Sequence, residues 1–217
     1  MNRSTLGVVT GLKAEARWLS QAGFMVQVGG GTPAGAAVAA QTLLNQGATA
    51  LVSFGLAGGL QPGLSPGHVL VPPHVITPTG EYECDAALVS FLGGQTPGAL
   101  LAGQMIASSI SEKSMLYQRY KAVAIDLESG AVATLASHNA RPFAVLRAIA
   151  DPAERTLPPA ALVALKDDGS LDWGRLIGSI LHQPGQISGL IKVGQDAKAA
   201  RHNLLKRLQI ICARRSG

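Results

Sequence analysis

Two acidic stations stand out in the chain. Asp126-Leu127-Glu128-Ser129 follows an apolar run over residues 122–125, and Arg147-Ala148-Ile149-Ala150-Asp151 prolongs a second run over 142–146. Short apolar runs of this kind read as buried strands of a parallel sheet, with residues 129–139 as the helical crossover between them. Carboxylates at the carboxyl ends of adjacent parallel strands sit where open α/β sheets build their active crevices. A pair of carboxyl groups there can hold hydroxyls and transfer a proton. The alternative is two acidic residues in ordinary strand-to-helix loops, one of them capping a helix.

The elements that must hold these groups follow from periodicity and punctuation. Residues 6–9 read as a first strand, 13–21 as a helix, and 24–28 as a second strand running into Gly29-Gly30-Gly31. A small-residue helix over 35–46 leads to a strand over 50–54 and a second glycine loop over 55–59. Residues 68–76 are strand-like but interrupted by Pro72-Pro73, which predicts an edge or bulged strand. Residues 100–102 form a short strand, and Ser109-x-x-Glu112 resembles a capping box opening a helix that ends near Tyr120. This alternation predicts an α/β fold with a mostly parallel or mixed sheet. After Asp151 come a proline-marked loop (Pro152, Pro158, Pro159), a helix over 171–181, and a last helix over about 195–213. Ala197, Ala200, Leu204, Leu205, Leu208 and Ile211 recur near helical period in that last helix.

Composition bounds the rest. A chain of 217 residues with 47% hydrophobic and 14% charged residues suits one packed domain. No apolar run reaches a bilayer span, and the first ten residues lack a signal-peptide pattern, so a cytoplasmic setting is expected. Cys84 and Cys212 have no metal-ligand spacing and provide no disulfide framework. The net charge of +5 is uneven: residues 192–217 hold seven of the 18 Lys and Arg and one of the 13 acids. The basic pI therefore belongs to one terminal helix. The body offers no basic face, which excludes nucleic acid as a partner on this ground.

Three motifs can be weighed. Gly29 to Ala34 formally matches G-x-G-x-x-A, but a dinucleotide site needs an acid about 20 residues later. None occurs between Ala16 and Gly80, so the dinucleotide reading fails. What survives is a glycine loop whose amides could approach an anion or a sugar, or a tight turn before a helix. The five histidines show no metal-ligand spacing, and no nucleophile elbow or triad pattern occurs. Neither a metal nor a covalent intermediate is expected.

The stretch Gly55-Leu56-Ala57-Gly58-Gly59-Leu60, continuing through Gly67-His68-Val69-Leu70-Val71, resembles the signature of the purine nucleoside phosphorylase and 5′-methylthioadenosine/S-adenosylhomocysteine nucleosidase superfamily. The segment 11–15 resembles that family's first-strand glutamate motif, Asp126-Leu127-Glu128 its Glu-Met-Glu, and Arg147 to Asp151 its Arg-Ala-Ile-Ser-Asp. The motifs arrive in the family's order over residues 5–155. The resemblance implies a three-layer α/β sandwich around a central mixed sheet, a single domain over 1–217 and a divergent helical part from about 152. It also implies a homo-oligomer, commonly a dimer, and no cofactor.

The resemblance further implies roles. Asp151 matches the general acid that hydrogen-bonds purine N7, and Glu128 the acid that binds the ribose hydroxyls. Leu127 stands where the family has a ribose-packing methionine. Met105 and Ile106 match apolar positions of the purine pocket. Glu15 matches the glutamate that orients attacking water, while Gly29, Gly31, Gly55 and Ala57 belong to the loops around the nucleophile or phosphate. N-glycosidic cleavage passes through an oxocarbenium-like sugar, so charge stabilisation there and protonation of the base are the two tasks. His68 replaces the family's Asp and Leu56 its Ser, the second removing a hydroxyl near the nucleophile. Arg17 could supply a cation or be an exposed helix arginine.

Residues 151–159 resemble the hopanoid-associated phosphorylase branch. That implies phosphorolysis of adenosylhopane, with inorganic phosphate as co-substrate and adenine as product. Hydrolysis of 5′-methylthioadenosine or S-adenosylhomocysteine is the alternative, and a non-catalytic nucleoside or lipid binder is a further one. The basic last helix would suit peripheral contact with an anionic inner-membrane surface, or would pack on the domain with a solvated face. Trp173, Leu176, Ile177 and Ile180 could line an apolar channel or pack in the core.

Overall fold

Strand β3 (Ala50–Gly59) organises the sheet. In this computed structural model, which describes residues 2–163 and 183–213, β3 pairs in parallel with β1 (Leu6–Thr10) and with β9 (Phe143–Asp151). β1 stops opposite Phe54. The last residues of β3, Gly58 and Gly59, are then taken up antiparallel by β8 (Ala124–Asp126). Outward from β1 lies β2 (Met25–Val28); outward from β8 come β7 (Leu100–Ala102), β5 (His74–Thr77) and β6 (Gly80–Glu83). A short β4 (Val69–Leu70) runs antiparallel on β9. The sheet is mixed and mostly parallel, as the alternation predicts.

Helices cover both faces. On one side α2 (Pro33–Asn45) and α5 (Ser129–His138) pack through small residues, among them Ala36, Ala39, Ala40, Ala133 and Ala136. On the other, α1 (Lys13–Gln21), α3 (Ala86–Phe91) and α7 (Ile187–Ala213) contribute Leu19, Leu88, Val89, Leu204 and Leu208 to a second core layer. Helix α4 (Ile110–Tyr120) closes a third cluster with Leu116 and Tyr117, and α6 (Pro159–Val163) follows β9. Ser109 caps α4 by accepting from the Glu112 amide at 3.1 Å; Glu112 in return accepts from Ser108, one residue before the cap.

Three expectations need correction. The two acidic strands are not adjacent: β8 and β9 both pair with β3, one antiparallel and one parallel. Residues 55–59 are not a loop but the second half of β3, where Gly55 and Gly58 leave room beside the extended backbone for Arg147, Glu15 and Asp151. Residues 68–76 are two strands parted by Pro72-Pro73: β4 on β9, and β5 between β7 and β6. The prolines lack the amide hydrogens that a continuous ladder needs.

The last helix begins eight residues earlier than expected, and its apolar stripe is spent on the core. Ala200, Leu204, Leu208 and Ile211 are buried. Each large aliphatic side chain among them contributes about 1.5–3 kcal/mol. Arg207 donates to Leu92 O at 3.1 Å, and Asn203 to Gly67 O at 2.8 Å. Lys192, Lys198 and Lys206 remain exposed. This is the packed-helix arrangement with a solvated basic face, and Ile191 and Ile210 are its large exposed apolar side chains beyond the first turn. Among the described residues no helix is long and apolar enough to cross a membrane. The helix expected over 171–181, with Trp173, Leu176, Ile177 and Ile180, lies outside the described residues, as do Arg214 and Arg215.

Candidate active site

A bulge makes the site. Between β3 and β9 the register slips, so that Ala57 opposes Ile149 but Gly58 opposes Asp151. Consecutive strand residues ordinarily face opposite sides of a sheet. A bulge re-aims one of them, and here Ala150 and Asp151 both line one cavity of about 300 Å³. Gly58 permits the approach, since a Cβ there would sit 3.3 Å from Asp151 Oδ1.

The same cavity receives Asp126, Leu127 and Glu128 from the turn between β8 and α5. Asp126 accepts from the Ser129 hydroxyl at 2.5 Å and from its amide at 3.3 Å, which ties down the start of α5. The rest of the wall is apolar. It includes Leu56 and Ala57 of β3, Met105, Ile106 and Ala107, then Leu157, Ala161, Val193 and Ala197 from the C-terminal part. Met105 is 77% exposed and Ile106 43%, so both form the rim of the cavity.

Arg147 is the electrostatic centre. Its guanidinium contacts Asp126 at 2.5 Å, Glu128 at 3.3 Å and the Ser53 hydroxyl at 2.6 Å. Burial works against its charge, but Asp126, Glu128 and Glu15 outweigh burial and push its pKa up. Gly55 leaves room for it: a Cβ there would lie 2.6 Å from Arg147 Nη1. Burial pushes the Glu128 carboxyl up, Arg147 pulls it back, and Asp126 adds to the rise.

Glu15 is 1% exposed and is not part of the cavity wall. It lies behind Gly55, accepting from the Thr10 hydroxyl at 2.5 Å through Oε2, while its buried Oε1 has no partner among the described residues. Burial raises its pKa from 4.5 to about 7, against the pull of Thr10, Arg147 and Arg201. That rise corresponds to about 3 kcal/mol by which ionising Glu15 weakens the fold. The penalty is absent below about pH 4.5 and complete above about pH 7. Glu15→Gln is therefore expected to raise stability at pH 8 by up to about 3 kcal/mol and to leave it level at pH 4, read from urea unfolding at both values. Equal effects at the two pH values would refute the assignment.

The glycine loops sit close to this cluster. The Gly31 amide donates to Glu128 Oε1 at 3.3 Å and the Gly29 amide to Thr10 O at 2.8 Å. The anion that the loop approaches is thus the protein's own Glu128. Arg17 and His68 are exposed, and among the described residues no group of three His, Cys, Asp or Glu could hold a metal ion.

Sequence reasoning missed three contributors: Arg147 as the shared counter-ion, Arg201 on α7 within electrostatic reach of Glu15, and Lys113. Lys113 had a legible signal. It falls on the apolar stripe of α4, three residues before Leu116 and four before Tyr117, where a solvated lysine has no place.

A family model described as the phosphorylase superfamily matches residues 9–91 and 95–170. A search of curated proteins returned no match. Among solved structures, the chain is similar to the 5′-methylthioadenosine/S-adenosylhomocysteine nucleosidase of Helicobacter pylori, at 15% identity and TM-score 0.72, covering 99% of this chain and 100% of that one. The nucleosidase of Neisseria meningitidis gives 17% identity and TM-score 0.70, over 97% and 98%. Futalosine hydrolase of Helicobacter pylori gives 17% and 0.62, over 70% and 89%.

Proposed function

Since the chain belongs to the phosphorylase superfamily, we propose that it cleaves the N-glycosidic bond of an adenine nucleoside. The observation that carries this reading is the convergence of Asp151 and Glu128, from strands that are not neighbours, on one apolar cavity. A flat purine needs apolar walls and one proton donor, and a ribose needs an acceptor for its hydroxyls. Asp151 and Glu128 meet those two needs, with Leu127, Met105 and Ile106 as walls. The names of the similar nucleosidases, with methylthioadenosine and adenosylhomocysteine, support adenine as the base.

Charge balance favours water as the nucleophile. Glu15, Asp126 and Glu128 surround Arg147, which is already engaged by two of them, and a phosphate dianion would meet three carboxylates. Glu15 Oε1 has no partner among the described residues, so a water admitted beside Gly55 would find an acceptor there. With Glu15 as that acceptor, hydrolysis rises with pH through about 7. Phosphorolysis is the second reading. It is favoured by the half-buried Arg201, within electrostatic reach of Glu15, whose own Nε has no partner among the described residues. The apolar contributions of Leu157, Ala161, Val193 and Ala197 favour a bulky apolar 5′-group, for which adenosylhopane is the candidate.

The test is adenine release from adenosine bearing such a 5′-group, with and without phosphate, resolving ribose 1-phosphate from free sugar. Release independent of phosphate is the expected result. Strict phosphate dependence would transfer the reaction to phosphorolysis, and no release from any adenine nucleoside would overturn the proposal.

A further inference from the structure

We infer that Lys113 is a positioning residue for the leaving-group acid, fixing Asp151 and setting the strength with which it gives up its proton. The inference rests on the reading of Asp151 as that acid. Lys113 is completely buried in the first turn of α4. A helix N-terminus is the positive end of the helix dipole and disfavours a cation. A buried ammonium must also be fully paired to be tolerated. All three Nζ donors are in fact spoken for: one to Asp151 Oδ2, one to Pro152 O at 2.9 Å and one to Arg155 O at 3.0 Å. Two of them hold the backbone that follows β9, and the third is given to the carboxyl group on the cavity wall.

The consequence is a division of labour between the two carboxyl oxygens. With Oδ2 held by Lys113, Oδ1 takes no hydrogen bond from the described residues and is the oxygen left for a ligand. When the bond between sugar and base breaks, its electron pair passes to the purine, the proton on Asp151 moves to N7, and the carboxylate left behind faces the Lys113 ammonium. Burial alone would make Asp151 retain its proton, and Lys113 offsets this. The other charged groups around Asp151 are already paired: Arg155 with Asp196 of α7, and Asp126 and Glu128 with Arg147.

The assignment is tested by the pH dependence of kcat/KM for adenine release, in the wild type, Lys113→Met and Lys113→Arg. A neighbouring cation lowers a carboxyl pKa by about 1–3 pH units. Lys113→Met should therefore move the alkaline limb governed by Asp151 upward by about one unit or more. Lys113→Arg, which keeps the charge, should hold it near the wild-type position. A second readout uses 4-nitrophenyl riboside, whose leaving group needs no proton. Lys113→Met should lose at least tenfold more activity on the purine nucleoside than on the nitrophenyl riboside. Coincident pH profiles, or equal losses on both substrates, would reduce Lys113 to a structural lysine and overturn the inference. Should Lys113→Met fail to fold, Lys113→Gln, whose amide can still donate to the carbonyls, carries the same comparison. A wild-type protein that releases no adenine would instead overturn the function proposed above.

Discussion

Asp151→Asn is expected to lower adenine release by about 10²- to 10⁴-fold, the range in which a positioned general acid contributes. The amide keeps the shape of the side chain and can still accept from Lys113 through its oxygen, so the β3–β9 bulge that aims the residue is preserved. What disappears is the proton that the base needs on departure. Burial holds the Asp151 carboxyl above its ordinary range, with Lys113 and Arg155 pulling it down. The working form is the protonated one, so wild-type activity falls as pH rises through that pKa, and the fall is missing in the variant. The discriminating measurement is kcat/KM on the purine nucleoside beside that on 4-nitrophenyl riboside. A variant that keeps more than a tenth of wild-type activity on the purine would remove Asp151 from the mechanism.

Arg147→Met has the largest expected effect on stability. It fills much of the same volume but leaves Asp126 and Glu128, both almost fully buried, without their shared cation. Removing one partner of a buried ion pair costs about 3–5 kcal/mol, because the group left behind stays desolvated and charged. The deficit should be greatest at pH 8 and should shrink toward lower pH as Glu128, whose carboxyl burial pushes up, takes up a proton. Urea unfolding at pH 8 and at lower pH measures it. A loss below about 1 kcal/mol at pH 8 would mean that Arg147 is not the counter-ion holding the site together.

The two predictions draw on different layers of information. Asp151 was legible in the chain because an acid ending a long apolar run at a crossover is a local pattern. Glu128, Leu127, Met105 and Ile106 were legible through the resemblance their motifs carry, and all four lie on the cavity. Alternating strands and helices likewise made the α/β class readable, with α1 (Lys13–Gln21) at its observed bounds. Arg147 sat inside a recognised motif, yet nothing in its neighbours along the chain tells that it faces Asp126 and Glu128, about 20 residues earlier.

What the chain determines by itself is therefore everything set by period, punctuation and side-chain type: the elements, the acids at strand ends, the small-residue helices, the basic last helix. Tertiary structure alone decides which of these meet. It takes the whole length of β3 to bring β8 and β9 to one cavity, because a strand has two edges and β1 leaves one of them vacant after Phe54. It takes the packing of α4 against the loop after β9 to bury Lys113 beside Asp151. It takes the docking of α7 to bring Arg201 toward Glu15. Pairings between residues tens or hundreds of positions apart leave no periodic trace, since their energy arises only when the core has excluded water around them.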